Sequence, residues 1–277
     1  DQDLESIARW RYKVVDASIS TRLLTPFWNW LALVVPTNVA PNVLTLAAFA
    51  CVLQAFWLVV KFGDEFPRAS AAGAAVLTYC YFTLDCLDGK HARNTKNSSP
   101  LGELFDHGCD NLGCPFQVIT ILLVLGVDDL SAQWYLVQIT QLLFLAEHIA
   151  PYVAADRTIR FGLLSGPGEA LHMTIAIMLA HAAVGRAFVW DFLIGAYRYI
   201  DSEIINLGLP PLPAAGLDDS DVNGVVFLRL ILQNLYYVVL AGLVVQVGLM
   251  LFMKEEGHRR SGRALLICLA TRGIPAL

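Results

Sequence analysis

Asp85-Cys86-Leu87-Asp88-Gly89-Lys90-His91-Ala92-Arg93 is followed, after eight residues, by Gly102, Asp106 and Asp110, and apolar runs flank the block on both sides. An aspartate at the centre of a membrane helix costs roughly 2.5–3.5 kcal/mol on insertion scales, so four of them need compensation. Divalent metal at a membrane surface supplies it. On a helix, Asp85 and Asp88 stand about 60° apart, while Gly102, Asp106 and Asp110 recur every four residues along one face. Two such helices side by side bring both pairs to one surface as hard oxygen ligands for Mg²⁺ or Mn²⁺, with positions left for phosphates. Two ions there suit a diphosphate, neutralising the leaving phosphate and aligning an incoming oxygen. Gly89, Ala92 and Gly102 are small where a ligand must approach the backbone closely, and Arg93 is a bidentate partner for phosphate. Aspartates merely solvated at helix ends would explain neither the spacing nor the small residues.

Outward from this block the composition is that of a membrane protein. Mean hydropathy is +0.57, 56% of residues are hydrophobic and 16% charged, which excludes an ordinary soluble domain. The expected architecture is all-α and integral to the membrane, with about six transmembrane helices near 41–60, 69–88, 101–127, 132–155, 168–185 and 223–253. Residues 1–40 form an N-terminal segment in which 5–35 read as an amphipathic interfacial helix, mixing Arg9, Arg11, Lys13 and Arg22 with Trp10, Tyr12, Phe27, Trp28 and Trp30. Residues 41–253 form the membrane core, and 254–277 a cytosolic tail. The opening residues Asp1, Asp3 and Glu5 lack the layout of a cleaved leader. Lys90, Arg93 and Lys96 in a loop at 89–100, Arg157 and Arg160 in the 156–167 loop, and Lys254, Arg259, Arg260 and Arg263 fall on one side of a six-span layout. Asp128, Asp129 and a long acid-rich loop at 186–222 fall on the other. The positive-inside rule then places both termini and the aspartates in the cytosol. The net charge of −5 says little about partners, and a nucleic-acid partner is not expected. The six cysteines, at 51, 80, 86, 109, 114 and 268, form no metal-ligand pattern and read as reduced thiols.

Asp85-x2-Asp88-Gly89-x2-Ala92-Arg93-x8-Gly102-x3-Asp106-x3-Asp110 resembles the signature of the CDP-alcohol phosphotransferases at every fixed position. Asn97 to Asp110, Pro26-Phe27-Trp28-Asn29, Pro41-Asn42-Val43-Leu44-Thr45 and Gly166-Pro167-Gly168-Glu169 are similar to its eukaryotic choline/ethanolamine branch. The resemblance covers roughly 5–185. It implies transfer of the phospho-alcohol of CDP-choline or CDP-ethanolamine to diacylglycerol, releasing CMP. It also implies Mg²⁺ or Mn²⁺, two ions, on Asp85, Asp88, Asp106 and Asp110. Asn42 and Arg93 would contact the CDP-alcohol, with Gly89, Ala92 and Gly102 shaping its pocket. The acceptor hydroxyl has a high pKa and needs a base. His107 is the preferred proton acceptor, with Asp110, favoured in the wider family, as the alternative. Glu169 would orient the lipid hydroxyl or contact the alcohol ammonium, or else act only as a carboxylate at a helix N-terminus. Glu147 and His148 either line the same cavity or form a buried pair.

Members of this branch carry about four further spans after the sixth, so the expectation here is either a truncated or alternatively processed form or a six-span core that suffices, as it does elsewhere in the family. A homodimer in endoplasmic reticulum or Golgi membranes is implied by the resemblance alone. The competing readings are the same chemistry on another alcohol such as inositol, a catalytically weakened scaffold that still binds nucleotide, and a metal transporter. A transporter wants carboxylates along a mid-membrane path, not clustered at one surface beside Arg93 and small residues.

Overall fold

The structure, a computed structural model, describes residues 14–153, 159–162, 166–208, 210–212, 224–252 and 262. Strand β1 (Val14–Asp16) is followed by helices α1 (Ile19–Val34), α2 (Pro41–Phe62), α3 (Pro67–Asn94), α4 (Pro100–Val124) and α5 (Leu130–Val153). Strand β2 (Ile159–Phe161) leads to α6 (Pro167–Val184), α7 (Arg186–Asn206) and α8 (Gly224–Phe252). Among the described residues the architecture is all-α, apart from the parallel pairing of β1 with β2, Val14 opposite Ile159 and Asp16 opposite Phe161.

Proline sets the starts of the helices. α2, α3, α4 and α6 each open with proline in the first turn, where its missing N–H is one the helix could not have used. Ser99 caps α4 by accepting the Gly102 N–H at 3.0 Å. α3 ends at Asn94, where Lys96 takes φ 59° and the Asn97 N–H returns to the Ala92 carbonyl. That short turn sends α4 back alongside the end of α3.

Small residues bring the helices together. Ala55 and Val59 of α2 meet Ala71, Ala74 and Ala75 of α3, with Val124 of α4 and Ile175 and Met178 of α6 completing one core. In a bilayer, where lipid tails are as apolar as leucine, such close approach is what holds helices to one another. A second core joins Val118 and Leu122 of α4, Ile139 and Leu142 of α5, and Leu232 and Tyr236 of α8. At Gly168 a Cβ would fall 2.6 Å from Ser20 Oγ and 3.2 Å from Phe82 Cζ, so glycine lets α1, α3 and α6 converge there. Trp28 of α1 stands edge-on to Phe82, which in turn meets His172.

Among the described residues, α2 to α6 and α8 overlap the six segments expected to cross the membrane. Among the described residues, Pro41–Phe62 and Pro67–Asn94 are long and apolar enough to do so on length and composition. Three expectations change. Residues 14–16 are a strand and not part of an interfacial helix, because their backbone pairs with 159–161; the helix begins at Ile19, and residues 1–13 lie outside those described. The first half of the 186–222 loop is the helix α7, whose buried Asp201 accepts the Leu212 N–H at 2.6 Å and folds the following turn back. Lys90 and Arg93 are not in a loop, since α3 continues unbroken to Asn94.

The turn into α1 is charge-dependent. Asp16 accepts hydrogen bonds from the Thr21 hydroxyl at 2.6 Å and the Ser18 N–H at 2.8 Å. Burial raises the Asp16 carboxyl, but these bonds outweigh it and the net pKa lies below the ordinary 3.8. The unfolded chain therefore takes up this proton first on acidification. The stabilisation is complete above pH 3.8 and is lost as pH falls through the lower native pKa. Limited proteolysis near residue 16 should accelerate in that window in the wild type, whereas Asp16→Asn should be cleaved at the faster rate at neutral pH.

Candidate active site

Asp85 and Asp88 lie near the end of α3, Asp106 and Asp110 in the first turns of α4. Packing of the two helices brings carboxylate oxygens of Asp85, Asp106 and Asp110 within 4.8 Å of one another. Asp106 Oδ1 is buried with no hydrogen-bond partner. Three half-buried carboxylates this close repel when all are ionised, and either a shared proton or a cation relieves them; an oxygen without a partner is one that a cation could bind. The donor set, all hard oxygen, fits Mg²⁺ or Mn²⁺.

Asp88 differs from the other three. It is 5% exposed, and its Oδ2 accepts the hydroxyl of Thr45 on α2. The four aspartates are thus split into a converging trio and a member tied to α2.

The other expected site residues gather at the same ends of α2, α3 and α4. Asn42 is exposed at the start of α2, and its Oδ1 lies 3.6 Å from where a Cβ on Gly102 would be. Arg93 is exposed and folds back over Gly89, where a Cβ would stand 3.4 Å from a guanidinium nitrogen. Ala92 is half-buried one residue before it. The position is anchored by His91, buried at 1% exposure, whose Nε2 donates to the Val39 carbonyl at 2.9 Å. His107 is half-buried next to Asp106, and its ring meets that of His148 edge-on at 4.5 Å. His148 donates from Nδ1 to the Phe144 carbonyl at 2.7 Å and stacks on Phe144.

Glu169 is held elsewhere. Its Oε1 accepts both the N–H and the hydroxyl of Ser20, each at 2.9 Å, at the N-terminus of α1. Its Oε2 is buried without a partner. Among the described contacts this carboxylate clamps α1 to α6 and does not touch the aspartate trio.

Two contacts to the aspartates escape sequence reasoning. Thr45 holds Asp88, and the Tyr81 hydroxyl donates to Asp110 Oδ1 at 2.9 Å. A signal existed for each: Tyr81 precedes Asp85 by one helical turn on the same face, and Thr45 follows Asn42 by three residues.

Residues 38–200 match the family model for CDP-alcohol phosphatidyltransferase, which covers more than half of the chain. The chain belongs to the CDP-alcohol phosphatidyltransferase family. A class-I member from Dictyostelium discoideum, named as uncharacterized, is 34% identical over 197 residues, 68% of this chain and 48% of that protein. Human ethanolaminephosphotransferase 1 is 37% identical over 137 residues, 45% of this chain and 34% of the relative. Rat cholinephosphotransferase 1 is 30% identical over 238 residues, covering 84% and 55%. The chain thus spans about half or less of the length of these curated relatives. The matched region of this family member contains α2 to α6, and with them the aspartate trio, Asp88, Asn42, Arg93 and Glu169.

Proposed function

We propose that this chain transfers phosphocholine or phosphoethanolamine from CDP-choline or CDP-ethanolamine to diacylglycerol, forming phosphatidylcholine or phosphatidylethanolamine and releasing CMP. The observation that carries the reading is the convergence of Asp85, Asp106 and Asp110 oxygens within 4.8 Å, at the helix ends that also present Asn42, Gly102 and Arg93. Both relatives with named activities are phosphotransferases of this kind.

Asp85, Asp106 and Asp110 would hold Mg²⁺ or Mn²⁺, with Asp88 joining for a second ion. When bound, the metal supplies charge neutralisation for the diphosphate and its leaving group. Arg93 binds phosphate oxygens, and Asn42 orients the nucleotide over Gly102, where the missing side chain leaves room. Gly89 and Ala92 keep the adjoining backbone accessible. The diacylglycerol hydroxyl oxygen bonds to the β-phosphorus as the bond from that phosphorus to the bridging oxygen breaks. CMP departs with the bridging oxygen, and the hydroxyl proton passes to His107. Asp110 is the poorer acceptor, because Tyr81 already occupies its Oδ1 and the carboxylate lies within the trio. Glu169 acts on the reaction through α1, which it clamps over Phe82 and α6.

The same reading takes residues 41–253 as a six-crossing core, α1 as an interfacial helix presenting Leu23, Trp30 and Leu33 outward, and both termini and the site as cytosolic. Endoplasmic reticulum or Golgi membranes and a homodimer accompany it. Purified protein with Mn²⁺ or Mg²⁺, diacylglycerol and each radiolabelled CDP-alcohol should yield labelled phospholipid and CMP. Absence of both products with either donor, from folded protein, would overturn the reading. The ratio of turnover on the two donors settles the head group.

A further inference from the structure

We propose that Tyr81 is a positioning residue that holds Asp110 in the orientation needed to bind a divalent cation. Tyr81 touches no ion itself. Its hydroxyl donates to Asp110 Oδ1 at 2.9 Å, which restrains the rotation of a carboxylate that lies with Asp85 and Asp106 in the trio. The phenol is well placed to hold that bond. The Gln117 side chain, on the same helix as Asp110, also interacts with the Tyr81 hydroxyl and can serve its acceptor side. The single phenolic proton is then directed at Asp110.

Tyr81 also links the two helices that carry the carboxylates. It precedes Asp85 by one turn on α3, so the helix that offers one carboxylate also orients another on α4. A rotation of α3 against α4 large enough to separate Asp85 from Asp110 has to break this bond. Groups that hydrogen-bond to metal-ligating side chains fix ligand orientation, and their loss weakens metal affinity by about 10- to 100-fold. Tyr81 has the geometry of such a group, with the added property of spanning the two ligand-bearing elements.

The inference rests on the metal role given to the trio, and its test needs no substrate. Free Mn²⁺ is titrated against full-length protein in detergent and counted by electron paramagnetic resonance. Tyr81→Phe, which removes one oxygen and keeps the ring, should weaken Mn²⁺ binding by about tenfold. Gln117→Leu should weaken it by a smaller factor in the same direction. Thermal melting without metal separates this from simple helix packing. If the Tyr81–Asp110 bond only joins α3 to α4, Tyr81→Phe melts earlier while its Mn²⁺ affinity stays within twofold of wild type, and the proposal is overturned. If Tyr81→Phe weakens Mn²⁺ binding as expected but wild-type protein given substrates forms no phospholipid, the transferase reading fails and the role of Tyr81 stands. If wild-type protein binds no Mn²⁺, both fall.

Discussion

Asp106→Ala is expected to reduce turnover by about a thousandfold or more while making the metal-free protein no less stable. Metal charge stabilisation supplies several kcal/mol in such transfers, and each 1.36 kcal/mol lost is about tenfold in rate. Asp106 is a sensitive choice because its Oδ1 is buried without a partner, so the fold gains nothing from that oxygen unless a cation binds it. Asp85 and Asp110 lie within 4.8 Å, and removing the third carboxylate relieves their repulsion in the metal-free state. The signature is a crossover in thermal melting. Wild type should melt higher on adding Mn²⁺, as any state-selective ligand requires, and Asp106→Ala should not respond. An Asp106→Ala protein with full activity would remove the metal assignment.

His107→Ala is expected to cost about 10²- to 10⁴-fold in turnover, the usual range for a positioned proton acceptor, with Mn²⁺ affinity unchanged. The unchanged affinity is the discriminating half. His107 is one residue from Asp106, so a general disturbance of the helix would impair both. Its ring lies edge-on to His148, and its side chain is outside the trio, so alanine there leaves the three carboxylates in place. Asp110→Asn offers the contrast. It should weaken Mn²⁺ binding together with turnover, because Asp110 belongs to the trio. Equal loss of turnover with intact metal binding in Asp110→Asn, and near-normal turnover in His107→Ala, would move the proton acceptor to Asp110.

The helices of the core are written into the chain by apolar runs and by prolines at 41, 67, 100 and 167, which mark the first turns of α2, α3, α4 and α6. The strand at 14–16 is not legible in this way. Three residues carry no usable period, and the pairing depends on 159–161, distant in sequence. Helix α7 is masked for a related reason: Asp191, Asp201 and Glu203 give it the polarity of a loop, although Asp201 is buried and bonded to the Leu212 N–H. Glu169 shows the limit for a single side chain. Its place at the start of α6 is readable, whereas its bonds to Ser20 require α1 to lie across that point, which Gly168 permits.

By itself the sequence determines that four aspartates lie on two successive helices with small residues and an arginine beside them, and hence the kind of cation and phosphate chemistry they suit. Helical periodicity is local, so residues three or four apart share a face whatever the rest of the chain does. The tertiary structure decides that Asp85, Asp106 and Asp110 converge, that Asp88 turns to Thr45, and that Tyr81 reaches Asp110. Those pairings depend on the rotation and depth of one helix against another. Contacts such as Ala55 and Val59 with Ala71, Ala74 and Ala75 set them, and no single helix contains that information.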